Sequence, residues 1–187
     1  AAVLTSKVLG LTYPEIEKNI SDLNTGERRG KIFYLNHPSG SKITIVDDSY
    51  NASYESTSSA LKSLRNLSLS RPVLILGDML ELGNFSDKEH KKLIPFIENA
   101  NPRLIICIGD AMSKISKEIK DDFDCICFKS SQKCERKIPN LIKNNDLVLV
   151  KGSNSMNLNL ITFGIIKFFK KLNLDNNIHS EEKNYAV

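Results

Sequence analysis

Residues 73–83 read VLILGDMLELG, an apolar run that ends on Gly77 and opens into a loop with two carboxylates, Asp78 and Glu81. A run that is apolar at every position, and too short for an ordinary helix, predicts a strand covered on both faces, as in a parallel sheet. The plan repeats to either side, as ITIVDDS at 43–49, LIICIGD at 104–110 and LVLVKGS at 147–153. Strands are therefore expected at Ile43–Val46, Val73–Leu76, Leu104–Ile108, Cys125–Phe128 and Leu147–Val150. Apolar positions three and four apart mark helices at 55–68, 87–100, 112–120, 131–143 and 155–172. This alternation predicts an α/β fold, a mainly parallel, doubly wound sheet with helices on both faces. Pro95 and Pro139 lie inside two of these helices and predict kinks or later starts, because proline has no N–H to give to the preceding turn.

Upstream, 1–9 and 13–23 read as two short helices, separated by Gly10, with Thr12 and Pro14 suited to the start of the second. Two β-rich runs, Lys31–Leu35 and Lys42–Val46, flank the turn His37-Pro38-Ser39-Gly40, so paired or adjacent strands are expected there. A domain border is placed at this turn. Residues 1–39 read as the end of a preceding domain and a hinge, 40–173 as the α/β domain, and the polar, aperiodic 174–187 as a flexible tail. The opening Ala1-Ala2-Val3-Leu4 enters as an apolar pattern with neither initiator Met nor capping residue, which reads as a piece of something longer.

With 41% hydrophobic and 26% charged residues, the 187-residue chain can bury a core. The net charge of +4 is spread rather than gathered into a stripe, and there is no tryptophan, so nucleic-acid binding is not expected. No apolar stretch reaches the eighteen or so residues of a spanning helix, and no signal peptide opens the chain, so no membrane partner and a cytoplasmic location are expected. Cys107, Cys125, Cys127 and Cys134 show no CxxC pair and read as buried, reduced thiols.

Ligands of open parallel sheets bind beyond the carboxyl ends of the strands, so the strand exits hold the candidate chemistry. Asp47 and Asp48 could accept hydrogen bonds from sugar hydroxyls or hold a divalent cation, while Ser53 is equally well placed to cap the next helix. Gly77, Asp78, Glu81 and Gly83 could form a structural turn around Met79 and Leu80, with Gly83 ending a helical turn, or a binding loop. Lys151, Gly152 and Ser153 look like the tail of a phosphate loop, but GxxxxGK[ST] occurs nowhere in the chain. What remains suits a carboxylate or carbonyl of a small polar ligand, or a lysine covering the sheet edge. None of the three histidines has a nucleophile at triad spacing, and no GxGxxG follows a strand.

DDSYNAS at 47–53, LILGDMLELG at 74–83 with His90 seven residues on, and LVKGSNSM at 149–156 together resemble the Mur ligase superfamily. The resemblance is to the branch that adds D-alanyl-D-alanine to UDP-N-acetylmuramoyl-tripeptide, and it runs over roughly residues 1–172. It implies an ATP-dependent amide ligase of three domains, with this chain similar to the end of the central ATP-binding domain and the whole of a third, dinucleotide-fold-like (Rossmann-like) domain. In such ligases ATP phosphorylates the peptide carboxylate and the dipeptide amine attacks the acyl phosphate, with Mg2+ assisting.

By the same resemblance, Arg29 reaches ATP from the hinge and Asp48 holds its ribose. Ser49, Tyr50, Asn51, Lys151, Ser153 and Ser155 wall the dipeptide or acyl-phosphate region, and Gly77, Asp78, Glu81 and Gly83 form a structural loop. No metal ligand and no catalytic residue is assigned to this chain, because the phosphate loop, the magnesium carboxylates and a carbamylated lysine of such ligases fall upstream of Ala1. The chain departs from the branch at Arg28-Arg29-Gly30, where Gly-Arg-Gly is usual, at Ser53-Tyr54, where Asn-Pro is usual, and at Asn154, where an Arg is usual. The implied partners are UDP-N-acetylmuramoyl-tripeptide and D-alanyl-D-alanine, met by a monomer. The alternatives are another ligase of the superfamily, of the diamino-acid-adding or folylpolyglutamate type, or a non-catalytic α/β ligand-binding module. The Asp-Asn-Pro-Arg signature of the diamino-acid enzymes does not occur.

Overall fold

The structure, a computed structural model, describes residues 2–20, 26–64, 71–119, 121 and 123–184. Its strands are β1 (Lys31–Asn36), β2 (Lys42–Asp48), β3 (Val73–Gly77), β4 (Leu104–Ile108), β5 (Asp124–Phe128) and β6 (Leu147–Lys151). They form one sheet in the order β1-β2-β6-β3-β4-β5. All neighbours run parallel except β1, which forms an antiparallel hairpin with β2. Every residue of β3, β4 and β6 is buried, as their apolar sequences require. The border expected after residue 39 falls in the hairpin turn, and β1 on its near side is hydrogen-bonded into the sheet.

The helices are α1 (Ala2–Val8), α2 (Tyr13–Ile20), α3 (Tyr54–Ser63), α4 (Ser86–Lys91), α5 (Ile94–Asn99), α6 (Asp110–Ile115), α7 (Ser131–Cys134) and α8 (Asn159–Asn184). The expected ends of the helices at 13–23 and 55–68 lie outside the described residues. Two long helices are corrected by their prolines. The segment 87–100 is broken into α4 and α5, with Pro95 in the first turn of α5, where its missing N–H costs nothing. The segment 131–143 shrinks to α7 and a 3₁₀ turn, Ile138–Leu141, that contains Pro139. Helix α6 starts two residues earlier than its apolar pattern suggests, at Asp110. The final helix starts later than expected, because residues 154–156 close a 3₁₀ turn of their own and Asn157 is left-handed at φ 52. Its helical backbone then runs on to Asn184, through most of the expected tail, since extending a formed helix costs little. Residues 185–187 of that tail lie outside the described residues.

One face of the sheet buries Ile43, Ile45, Val148 and Val150 against α7 and α8, and the other buries Leu74, Leu76, Leu147 and Leu149 against α3 to α6. Each fully buried Leu or Ile contributes about 2 kcal/mol of transfer free energy. This winding has a consequence at the rim. The chain leaves β2 for α3 on one face and leaves β6 for α8 on the other, although the two strands are neighbours, with Asp48 level with Lys151. Exits that diverge from adjacent strands leave a crevice between them.

Candidate functional site

The crevice is a cleft of ≈ 650 Å³ at the carboxyl ends of β2 and β6. Arg29, Asp48, Tyr50, Asn51 and Lys151 line it, joined by Val46 and Leu149 on the sheet and by Ser53, Ser56, Ala60 and Ser63 from α3. The cleft exists because α3 presents small residues at helical spacing, three and four apart, where larger side chains would fill the gap.

Lys151 is 1% exposed and organises the wall. Its ammonium meets Asp48 Oδ2 at 2.7 Å and donates to the carbonyl oxygens of Asn51 at 2.9 Å and Asp48 at 3.5 Å. An ammonium has three protons. All three are taken by this chain, so Lys151 holds the β2–α3 loop in place. The Asp48 carboxylate keeps 26% of its side chain exposed and has a second oxygen to offer. Asp47 faces the other way, is buried, and accepts the Ser49 N–H at 3.1 Å.

The segment before β1 forms one side of the cleft. The backbone N–H of Tyr50 donates to the Arg28 carbonyl at 3.0 Å, and the Arg29 guanidinium stacks 3.8 Å from the Tyr50 ring centre. Arg28 lies 5.4 Å from the same ring and donates from Nη1 to Asn154 Oδ1 at 2.9 Å. Its backbone is left-handed at φ 61, a conformation that favours glycine. Ser53 caps α3 with a reciprocal capping box through Ser56, as its position suggested.

The second loop has a different character. The Asp78 carboxylate accepts the Met112 N–H at 2.8 Å and the Ala111 N–H at 3.2 Å, satisfying the first turn of α6. His90 is wholly buried. Its Nδ1 lies 2.7 Å from the Ser86 carbonyl oxygen and its Nε2 accepts the Met79 N–H at 2.9 Å, which places the ring proton on Nδ1. Ser153 Oγ accepts the Leu80 N–H at 2.8 Å, while the Ser153 N–H donates to the Asp78 carbonyl. Glu81 is exposed at φ 65, and Gly83 opens rather than ends a turn, the 3₁₀ segment Gly83–Phe85. At its root Gly77 packs on Gly152: a Cβ on Gly152 would come within 3.0 Å of the Gly77 Cα and 2.6 Å of Leu158 Cδ1.

Of the residues singled out in the sequence, Arg29, Asp48, Tyr50, Asn51 and Lys151 thus share one cleft. Ser49 is buried, Ser153 is engaged by the second loop, and Ser155 is exposed on the 3₁₀ turn; none of the three lines that cleft. The serines and alanine of α3 were missed, although their regular spacing was a readable signal. Cys107 and Cys134 are buried as expected, but Cys125 and Cys127 are exposed, because β5 is an edge strand.

The model of the Mur ligase glutamate ligase domain matches residues 35–154. The chain belongs to the Mur ligase family. Among similar Mur ligases, the UDP-N-acetylmuramoyl-tripeptide--D-alanyl-D-alanine ligase of Buchnera aphidicola subsp. Baizongia pistaciae is 32% identical over 173 residues, 91% of this chain and 36% of the relative. The ligase of the same description from Rickettsia prowazekii is 28% identical over 159 residues, 85% of this chain and 34% of the relative. Among solved structures, MurF from Acinetobacter baumannii matches with a TM-score of 0.74 at 22% identity, over 89% of this chain and 36% of that one. The MurF ligase from Thermotoga maritima, in complex with ADP, matches with a TM-score of 0.73 at 20% identity, over 91% and 37%. At these identities the structural likeness establishes the fold. The chain spans about a third of the length of the curated Mur ligases it matches.

Proposed function

We propose that this chain is the carboxy-terminal, substrate-binding part of an ATP-dependent ligase that joins D-alanyl-D-alanine to UDP-N-acetylmuramoyl-tripeptide through an acyl phosphate, in the cytoplasmic synthesis of the cell-wall precursor. The observation that carries this reading is the convergence of Arg29, Asp48 and Tyr50 on one open cleft at the crevice of a parallel sheet, in a Mur ligase domain. In the proposed complex the free oxygen of Asp48 accepts a ribose hydroxyl of ATP, and the Tyr50 ring with its stacked Arg29 flanks the nucleotide. Lys151 acts as a positioning residue, fixing both Asp48 and the backbone of Asn51. The mixed lining of the cleft, apolar from Val46 and Leu149 and polar from the serines, suits a nucleoside better than a phosphate chain.

The phosphates are gripped elsewhere in the ligase, because GxxxxGK[ST] is absent from these 187 residues. Magnesium does not fit the residues present. Among the described residues no three His, Cys, Asp or Glu side chains converge, and the one carboxylate lining the cleft is paired with Lys151. No helix among the described residues is long and apolar enough to cross a membrane. The monomeric state belongs to the same proposal.

The decisive experiment is a chimaera in which this chain replaces the matching third of the Rickettsia prowazekii ligase. D-alanyl-D-alanine-dependent release of phosphate from ATP is expected, and turnover with a free diamino acid in place of the dipeptide would overturn the assignment. Calorimetry on the chain alone separates the binding-module reading, which requires micromolar affinity for ATP or for D-alanyl-D-alanine. The ligase reading expects ATP to bind no tighter than about 1 mM, roughly −4 kcal/mol, until the phosphate grip is supplied.

A further inference from the structure

Far from the cleft, edge strand β5 carries Cys125 and Cys127 on the face it turns toward α6, and both are exposed. Cys127 stands level with Cys107 on β4, a residue with no exposed surface. Residues level with each other on adjacent strands have Cα atoms about 4.8 Å apart, inside the range of roughly 4.4–6.8 Å that a disulfide spans. The two side chains point to the same face of the sheet, since level residues of parallel strands share a face. Ser116 Oγ lies 3.2 Å from the Cys127 sulfur, and Lys117 adds a positive charge nearby.

We propose that Cys127 and Cys107 form a reversible oxidation site, in which a hydroperoxide reacts at Cys127 and Cys107 closes a disulfide between β4 and β5. The geometry divides the roles: the exposed sulfur meets the oxidant, and the buried thiol stands level with it on the neighbouring strand. The Cys127 thiolate attacks the terminal oxygen of the hydroperoxide; an S–O bond forms, the O–O bond breaks, and the other oxygen leaves as alkoxide, or as hydroxide from hydrogen peroxide. The Cys107 sulfur then attacks the sulfenic sulfur; the S–S bond forms, and the sulfenic oxygen leaves as water with the Cys107 proton. With hydrogen peroxide, two thiols lose two electrons and the oxidant is reduced to two waters.

The polar neighbours of Cys127, Cys107 foremost, bring its thiol down to about 5. On the same strand, Cys125 is pushed up by burial and by its neighbours Cys127 and Asp124. Cys125 is therefore an internal control of similar exposure. At pH 6 the lowered Cys127 thiol is the more ionised of the two, and the weaker nucleophilicity of a more acidic thiolate offsets part of that advantage. Iodoacetamide should then modify Cys127 on the order of tenfold faster than Cys125 at pH 6.

The test treats the reduced 187-residue chain with hydrogen peroxide, alkylates what remains, and maps peptides without reduction. A Cys107–Cys127 cross-link that dithiothreitol reverses is expected. In Cys107→Ser, oxidation should stop at a Cys127 sulfenic acid that dimedone traps, and in Cys127→Ser Cys107 should stay reduced. Circular dichroism checks that both variants fold, and the alkylation ratio in the unmutated chain stands independently of either variant. A cross-link through Cys125 or Cys134, a sulfenic acid that persists on Cys127 of the unmutated chain, a chain that stays reduced, or equal alkylation at pH 6 would each overturn the proposal.

Discussion

Two loops leave neighbouring parts of the same rim, and they treat their polar groups in opposite ways. Around the loop after β3, the carboxylate of Asp78, the imidazole of His90 and the hydroxyl of Ser153 all bond main-chain groups of this chain. In the loop after β2, Asp48 keeps a free oxygen, and Tyr50 and Arg29 present an exposed stack beside a cleft kept open by serines. The GDMLELG stretch is the more distinctive in sequence because it braces β3, α6 and the β6 exit at once, and each brace demands a particular side chain. A distinctive motif is therefore no guide to where a ligand sits. The better guide is which polar groups the fold leaves unspent.

Substitutions in the closed loop should cost stability, and substitutions in the open one should cost nucleotide affinity. The largest effect is expected for Asp78→Ala, which leaves two N–H groups of α6 without acceptors: about 3–4 kcal/mol lost in urea denaturation, with an unchanged m-value. Lys151→Met should follow at about 3 kcal/mol, since it strands a partly buried carboxylate and a buried carbonyl. That variant should also raise the KM for ATP in the chimaeric ligase. His90→Phe keeps the ring volume but orphans the Met79 N–H and the Ser86 carbonyl, for about 2 kcal/mol. Unaltered stability in that variant would mean that the closed loop does not depend on its imidazole.

Two smaller effects sharpen the contrast. Ser63→Trp, on the exposed face of α3, should stay within about 0.5 kcal/mol of the parent in stability. It should nonetheless raise the KM for ATP by tenfold or more by filling the cleft, and an unchanged KM would remove the cleft from the proposed mechanism. Arg28→Gly relieves a left-handed backbone while losing the hydrogen bond to Asn154 and the guanidinium contact with the Tyr50 ring, so the melting temperature should move by only a degree or two.

The central strands β3, β4 and β6 were legible almost residue by residue, because a strand buried on both faces has no choice but an apolar run. Helix limits were less so: Pro95 and Pro139 were visible as disturbances, but whether each would kink, delay or divide its helix depended on packing. At the site, Asp48 and Lys151 were legible as strand-exit residues, yet the bond between them was not, because 103 positions separate them in the chain. The same holds for Cys107 and Cys127, brought level only by the register of β4 on β5.

What the amino-acid order determined by itself is the set of buried strands, the helices between them and the chemistry at each exit, since these follow from local periodicity and the nature of single residues. Only the tertiary structure decided which exits stand side by side and which of their polar groups are used up. Insertion of β6 between β2 and β3 is what gives Lys151 to Asp48 and opens the cleft. Strand order is settled by how helices pack across both faces of the whole sheet, a sum over contacts that no short stretch of residues contains.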